Sequence, residues 1–151
     1  MIAAPPSNVF RAWTDPAHLQ WFFNDAMPIP DEPIEVDLRV GGAWRQMMVI
    51  NASTRYYTGG IYREIVPDTK LVFSWGAVGG WPELSIDRLD EGPLVTVSFR
   101  ATDSGTELVL DVQLPASLSV QAAREALTAA MRDGWRVTVD RLAAVAAKGL
   151  I

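Results

Sequence analysis

Three side chains of this sequence suit polar chemistry in a protein interior: Glu64, Asp111 and Gln46. Each falls in a stretch that alternates like a β-strand, from which it can project inward. Burial there would raise a carboxylate's pKa and fit it for proton transfer. Strand parity alone leaves open which face each of them occupies. The sole histidine, His18, follows Asp15-Pro16 at a position that reads as surface, and one histidine is a weak basis for acid–base catalysis. No serine–histidine–acid set and no phosphate loop is present. With no cysteine and one histidine, too few soft ligands remain for a zinc site, so neither metal nor cofactor is expected.

What the sequence offers in quantity is rings. One face of "AWRQMMVI" (43–50) carries Trp44, Gln46, Met48 and Ile50, and the other carries Arg45, Met47 and Val49. In "GGIYREI" (59–65), Gly60, Tyr62 and Glu64 share a face; in "LVFSW" (71–75), Leu71, Phe73 and Trp75 do. Large rings on a concave face, with methionine as adaptable filler, are the material of an apolar pocket. They are equally the material of a plain core. "VFRAWTDPAHLQWFF" (9–23) adds more: Phe10 and Trp13 read as a structural wedge, Trp21 and Phe22 as candidates for a pocket rim. Near the C-terminus, Leu127, Met131 and Trp135 fall on one apolar stripe. Gly134 lies inside that same helical pattern, where glycine costs about 1 kcal/mol relative to alanine. Close approach to a sheet, or room for a ligand, would compensate.

Pro5-Pro6 forbids helix before it, and Ser7 or Asn8 can cap a helix that starts there. Two short helices are expected, meeting at the bend Thr14-Asp15-Pro16. After a proline-rich loop (28–33), strands are expected at 34–40, 43–50, 55–65 and 71–75. Gly41-Gly42 reads as a hairpin turn, and Gly59-Gly60 as a bulge or bend. Residues 76–93 read as a loop in which "ELSID" can form a short extra strand. Two clean strands then flank the turn "TDSG". Beyond Pro115, apolar residues at 127, 131, 134/135, 138/139, 142 and 145/146 predict one helix of about 30 residues, on the order of 45 Å long. Strands segregated from helices read as α+β, in one domain over residues 1–151.

The bulk numbers narrow the partners. Thirteen basic residues scattered among eighteen acidic ones disfavour nucleic acid. No stretch is apolar enough to span a bilayer, and no signal peptide is evident, so a cytoplasmic protein is expected.

Four fragments in order, "IAAPPSNVFRAWTDPAHLQWF", "VDLRVGGAWRQMM", "GGIYREIVPDTKLVFSW" and "GWRVTVDRLAAV", resemble homologues of the ATPase activator of the ninety-kilodalton heat-shock chaperone. That family sits in the START-like superfamily of polyketide cyclases, lipid-transfer proteins and the birch-pollen allergen. The resemblance implies a helix-grip fold, in which a seven-stranded antiparallel sheet wraps a long C-terminal helix around an apolar cavity. In relatives a full strand precedes "APP"; here only Met1 to Ala3 stand in its place, so a truncated first strand, an open sheet edge and a possible homodimer are expected. Residues 76–93 are longer and richer in glycine than the family's pattern, which makes a pocket mouth there particular to this chain. The implied functions are three. The first is a module binding an apolar or amphipathic small molecule, with Gln46, Tyr62 or Glu64 lending selectivity. The second is a co-chaperone-like interaction domain. The third is a cyclase or hydratase with Glu64 as its base.

Overall fold

A computed structural model describes residues 1–126 and 131–151. Helix α1 (Pro6–Thr14) begins one residue after Pro5, with Pro6 in the first turn, where its missing N–H is no loss. Capping by Ser7 or Asn8 is therefore not used; the Asn8 amide instead donates to the Ile151 carbonyl oxygen (3.2 Å). The helix ends at Asp15, whose carboxylate accepts the Ala17 N–H (2.9 Å) and so caps the next segment, Pro16–Phe22. That segment winds as a 3₁₀ helix and buries Leu19, Trp21 and Phe22.

Six antiparallel strands come next in a meander, each paired with its successor: β1 (Glu35–Val36), β2 (Ala43–Asn51), β3 (Thr54–Val66), β4 (Lys70–Trp75), β5 (Leu94–Thr102) and β6 (Gly105–Gln113). The strand expected over 34–40 shrinks to Glu35–Val36, opposite Arg45 and Trp44. From Asp37 the chain turns, because the Arg39 N–H and Nε both bond to Asp37 (2.8 Å each). Leu38 and Val40 are left exposed. "ELSID" forms no strand: Ile86–Glu91 is a 3₁₀ helix, and residue 83 makes an isolated parallel bridge to Ala77. The seventh strand of the implied fold is reduced to a bridge between Ile2 and Thr106 on β6.

The expected bulge at Gly59-Gly60 is displaced. Both glycines keep regular register, opposite Arg45 and Trp44, and the register shifts instead between Tyr62 and Glu64. The glycines serve close packing: a Cβ on Gly60 would lie 2.7 Å from Phe73 Cδ2.

The C-terminal segment is helical over α2 (Val120–Ala126) and α3 (Arg132–Ala147). The single helix expected there spans residues outside the described ones, Leu127 among them. Helix α3 buries Trp135, Thr138, Leu142 and Ala146, one stripe at spacings of three and four residues. Of these, Trp135, Leu142 and Ala146 pack, with the inward faces of α1, the first 3₁₀ helix and the sheet, into one apolar cluster. This is the expected α+β arrangement: a curved antiparallel sheet closed over by a C-terminal helix.

Candidate functional site

Between α3 and the ends of β2, β3 and β4 lies a cavity of about 400 Å³. Phe22, Met48, Ile50, Tyr56, Trp75 and Trp81 supply most of its apolar wall, and Met131, Gly134, Trp135 and Thr138 its helical side. That volume is at the small end of the range for ligand pockets, roughly 300–1,000 Å³. On the far side of Met131 and Trp135, a second hollow of similar size runs between α3 and the β6 side chains Leu108, Leu110 and Val112.

Five of the residues singled out from sequence meet at the first cavity: Phe22, Met48, Trp75, Met131 and Trp135. Five others are buried behind it. Trp21 turns its indole N–H to the Ala12 carbonyl (2.8 Å), so it is anchored in the α1 corner and does not form a rim. Trp44, Gln46 and Met48 do share a buried face, and their polar atoms satisfy one another: Trp44 Nε1 donates to Gln46 Oε1 (3.1 Å), and Gln46 Nε2 to Met48 Sδ (3.5 Å). Phe73 and Tyr62 lie deep in the core, each 1% exposed. Glu64 departs most from expectation. The irregularity after Tyr62 breaks the alternation that placed the two together, so Glu64 emerges on the surface and pairs with Lys70 at 2.7 Å. Asp111 is likewise exposed, and His18 sits beside Asp15 at 4.0 Å near the surface.

The six tryptophans are linked ring to ring. Trp13 stacks on Trp135 (6.1 Å, 18°) and meets Trp21 edge-on (5.1 Å). Trp135 continues to Trp75 (5.0 Å), and Trp75 to Trp81 (5.5 Å). Phe22 joins Trp44 to the same set.

The polar groups at the cavity are few and fixed. Trp75 Nε1 donates to Thr58 Oγ1 (3.2 Å), which sets the indole plane. The Thr138 hydroxyl donates to the Gly134 carbonyl (2.7 Å). Arg141 donates through Nε to the Trp21 carbonyl (3.2 Å) and through Nη2 to the Phe22 carbonyl (3.0 Å) and Thr138 Oγ1 (3.2 Å). A cation is thereby set at the C-terminal end of the 3₁₀ helix, where carbonyl oxygens collect. Burial lowers the Arg141 pKa, and Asp25 partly restores it. Burial also raises the Tyr56 phenol, so that wall stays neutral at physiological pH.

Sequence reasoning missed Arg141 and Trp81. Arg141 falls three residues after Thr138 on the edge of the apolar stripe, a spacing that reading for apolar residues passes over. Trp81 stands between Gly80 and Pro82 in the segment read only as a possible mouth, and a lone tryptophan there was the signal. Among the described residues no group of His, Cys, Asp and Glu side chains is placed to hold a metal ion, and no helix is long and apolar enough to cross a membrane.

Residues 3–147 match the family model described as activator of Hsp90 ATPase homolog 1-like protein. The chain belongs to that family. No curated protein matches it. Among solved structures, a Rhodobacter sphaeroides protein superposes with a TM-score of 0.74 at 22% identity, over 98% of this chain and 88% of that one. The solution structure of an AHSA1-like protein from Aeromonas hydrophila gives 0.67 at 23%, over 99% and 90%. A Chromobacterium violaceum protein gives 0.64 at 26%, over 95% and 91%. The helix-grip architecture of this activator-homologue family is thus the architecture of the chain.

Proposed function

We propose that this protein is a binding module that holds one apolar or amphipathic small molecule, of lipid or polyketide-like build, between the sheet and α3. The ring-lined cavity carries the reading. Of the two explanations for a glycine inside this helix, close approach to the sheet fails, because a Cβ there would meet nothing within 4 Å. The position is exposed and borders the cavity on its open side, so the missing side chain leaves the entrance clear. Five aromatic side chains and two methionines supply an apolar lining, with Thr58, Thr138 and Arg141 as the sparse fixed polar groups that give such pockets orientation. The enzyme reading loses its base, since Glu64 is on the outside and paired with Lys70.

Small molecules extracted from the purified protein should include a stoichiometric apolar compound by mass spectrometry. Gly134→Leu, which gains helix propensity while obstructing the cavity mouth, should fold normally and carry none. Absence of any compound, with no heat on titrating a panel of lipids and aromatic polyketides, would turn the interior into a filled core. A chaperone partner would then be the next thing to test.

A further inference from the structure

Among the described residues, two charged side chains line the cavity, Asp133 and Arg141. Asp133 is exposed and already faces Arg136 at 3.6 Å. Arg141 is different. A guanidinium carries five N–H groups, and three of these are committed to the carbonyls of Trp21 and Phe22 and to Thr138 Oγ1. The two on Nη1 have no bond to any described residue, and no described carboxylate lies within 4.0 Å of the group. Asp25 is the nearest acidic influence, and it acts from beyond ion-pair distance. The side chain is half-buried and stays charged at neutral pH.

A partly desolvated cation without a counter-ion is costly, and carbonyl dipoles offset only part of that cost. Here the carbonyl bonds also fix the guanidinium plane in advance, leaving the two N–H groups of Nη1 unused. Nη1 can donate a charge-assisted hydrogen bond to one oxygen of a carboxylate. A dianion fits less well, because a single cation faces it while Asp25 and Asp133 stand near. Building on the cavity reading above, we infer that the ligand is an apolar monocarboxylic acid: its hydrocarbon body lies against Phe22, Met48, Tyr56, Trp75 and Trp81, and its carboxylate accepts from Nη1 of Arg141.

Octanoate and octan-1-ol test this as a matched pair of probes, titrated calorimetrically into the full chain at neutral pH and low salt. Octanoate should bind about tenfold more tightly than the alcohol, as a charge-assisted hydrogen bond allows. Arg141→Met should erase that preference, bringing octanoate affinity down to that of octan-1-ol; Arg141→Lys should retain part of it. Arg141 also holds the 3₁₀ helix, so a second variant keeps the test decisive if Arg141→Met fails to fold. Asp25→Asn leaves every Arg141 hydrogen bond in place and should tighten octanoate by about threefold through removal of an opposing charge, with no effect on the alcohol. Equal affinity for the two probes, or an octanoate affinity indifferent to both variants, would overturn the carboxylate and leave the cavity reading intact. No heat from either probe, in the wild type and in Gly134→Leu alike, would overturn both.

Discussion

Tyr62 presents a buried hydroxyl that bonds to nothing among the described residues. The residue is 1% exposed and its oxygen has no partner there. Burial pushes its pKa above the ordinary tyrosine value of 10.0. The direction of the consequence comes from proton counting. In strongly alkaline solution the unfolded tyrosine releases its proton before the folded one does, so the unfolded state is favoured as pH rises. Stability is therefore constant with respect to this group below about pH 10 and declines above it. Tyr62→Phe should flatten that decline in urea unfolding followed across alkaline pH. At pH 7 it should cost less than about 1 kcal/mol, because an apolar edge replaces an unsatisfied hydroxyl. A large loss at pH 7 would reveal a hydrogen-bond partner for the phenol. Tyr62 and Glu64 also show where residue-level reading stops. Period-two alternation paired them on one face, and a single register shift sent one inward and the other to Lys70.

At the scale of elements, most of the fold was legible because each strand and helix carries its own period. "LVTVSFRA" alternates as β5 does, and the Trp135, Thr138, Leu142 stripe announces α3. Illegible were the features set by contacts between elements. The turn at Asp37 is decided by a side chain bonding back to Arg39, and the bulge in β3 by how that strand meets β4. Two glycines, one buried in β3 and one exposed on α3, make the same contrast in opposite directions. Gly60→Ala drives a methyl into the Phe73 ring and the Ser74 carbonyl, with separations of 2.7 and 2.9 Å, and should destabilise by about 1–3 kcal/mol. Gly134→Ala meets open space in a helix and should stabilise by about 1 kcal/mol. Chemical denaturation of both variants checks the pair. If Gly134→Ala proves destabilising, that glycine is packed closely and the cavity wall lies elsewhere.

For the molecule as a whole, the site was only half legible. Phe22, Met48, Trp75, Met131 and Trp135 were found because each belongs to a periodic segment whose buried face could be named. Trp81 and Arg141 were not, since one lies in a loop without period and the other is polar at the border of an apolar stripe. A cavity built from separate stretches of chain is a property of their convergence, and one segment at a time does not contain it.

The linked rings give the protein an optical property. Six indoles joined by contacts of about 5–6.5 Å, some through Phe22, are close enough to exchange excitation energy before they emit. A photon absorbed at Trp21 or Trp44, deep in the core, can be lost at Trp75, Trp81 or Trp135 beside the cavity. A brominated octanoate seated there should darken emission from all six tryptophans rather than from the three that line the cavity. Quenching confined to those three would mean that the indoles emit independently. Occupancy of the cavity can thus be read by its own light, with no label attached.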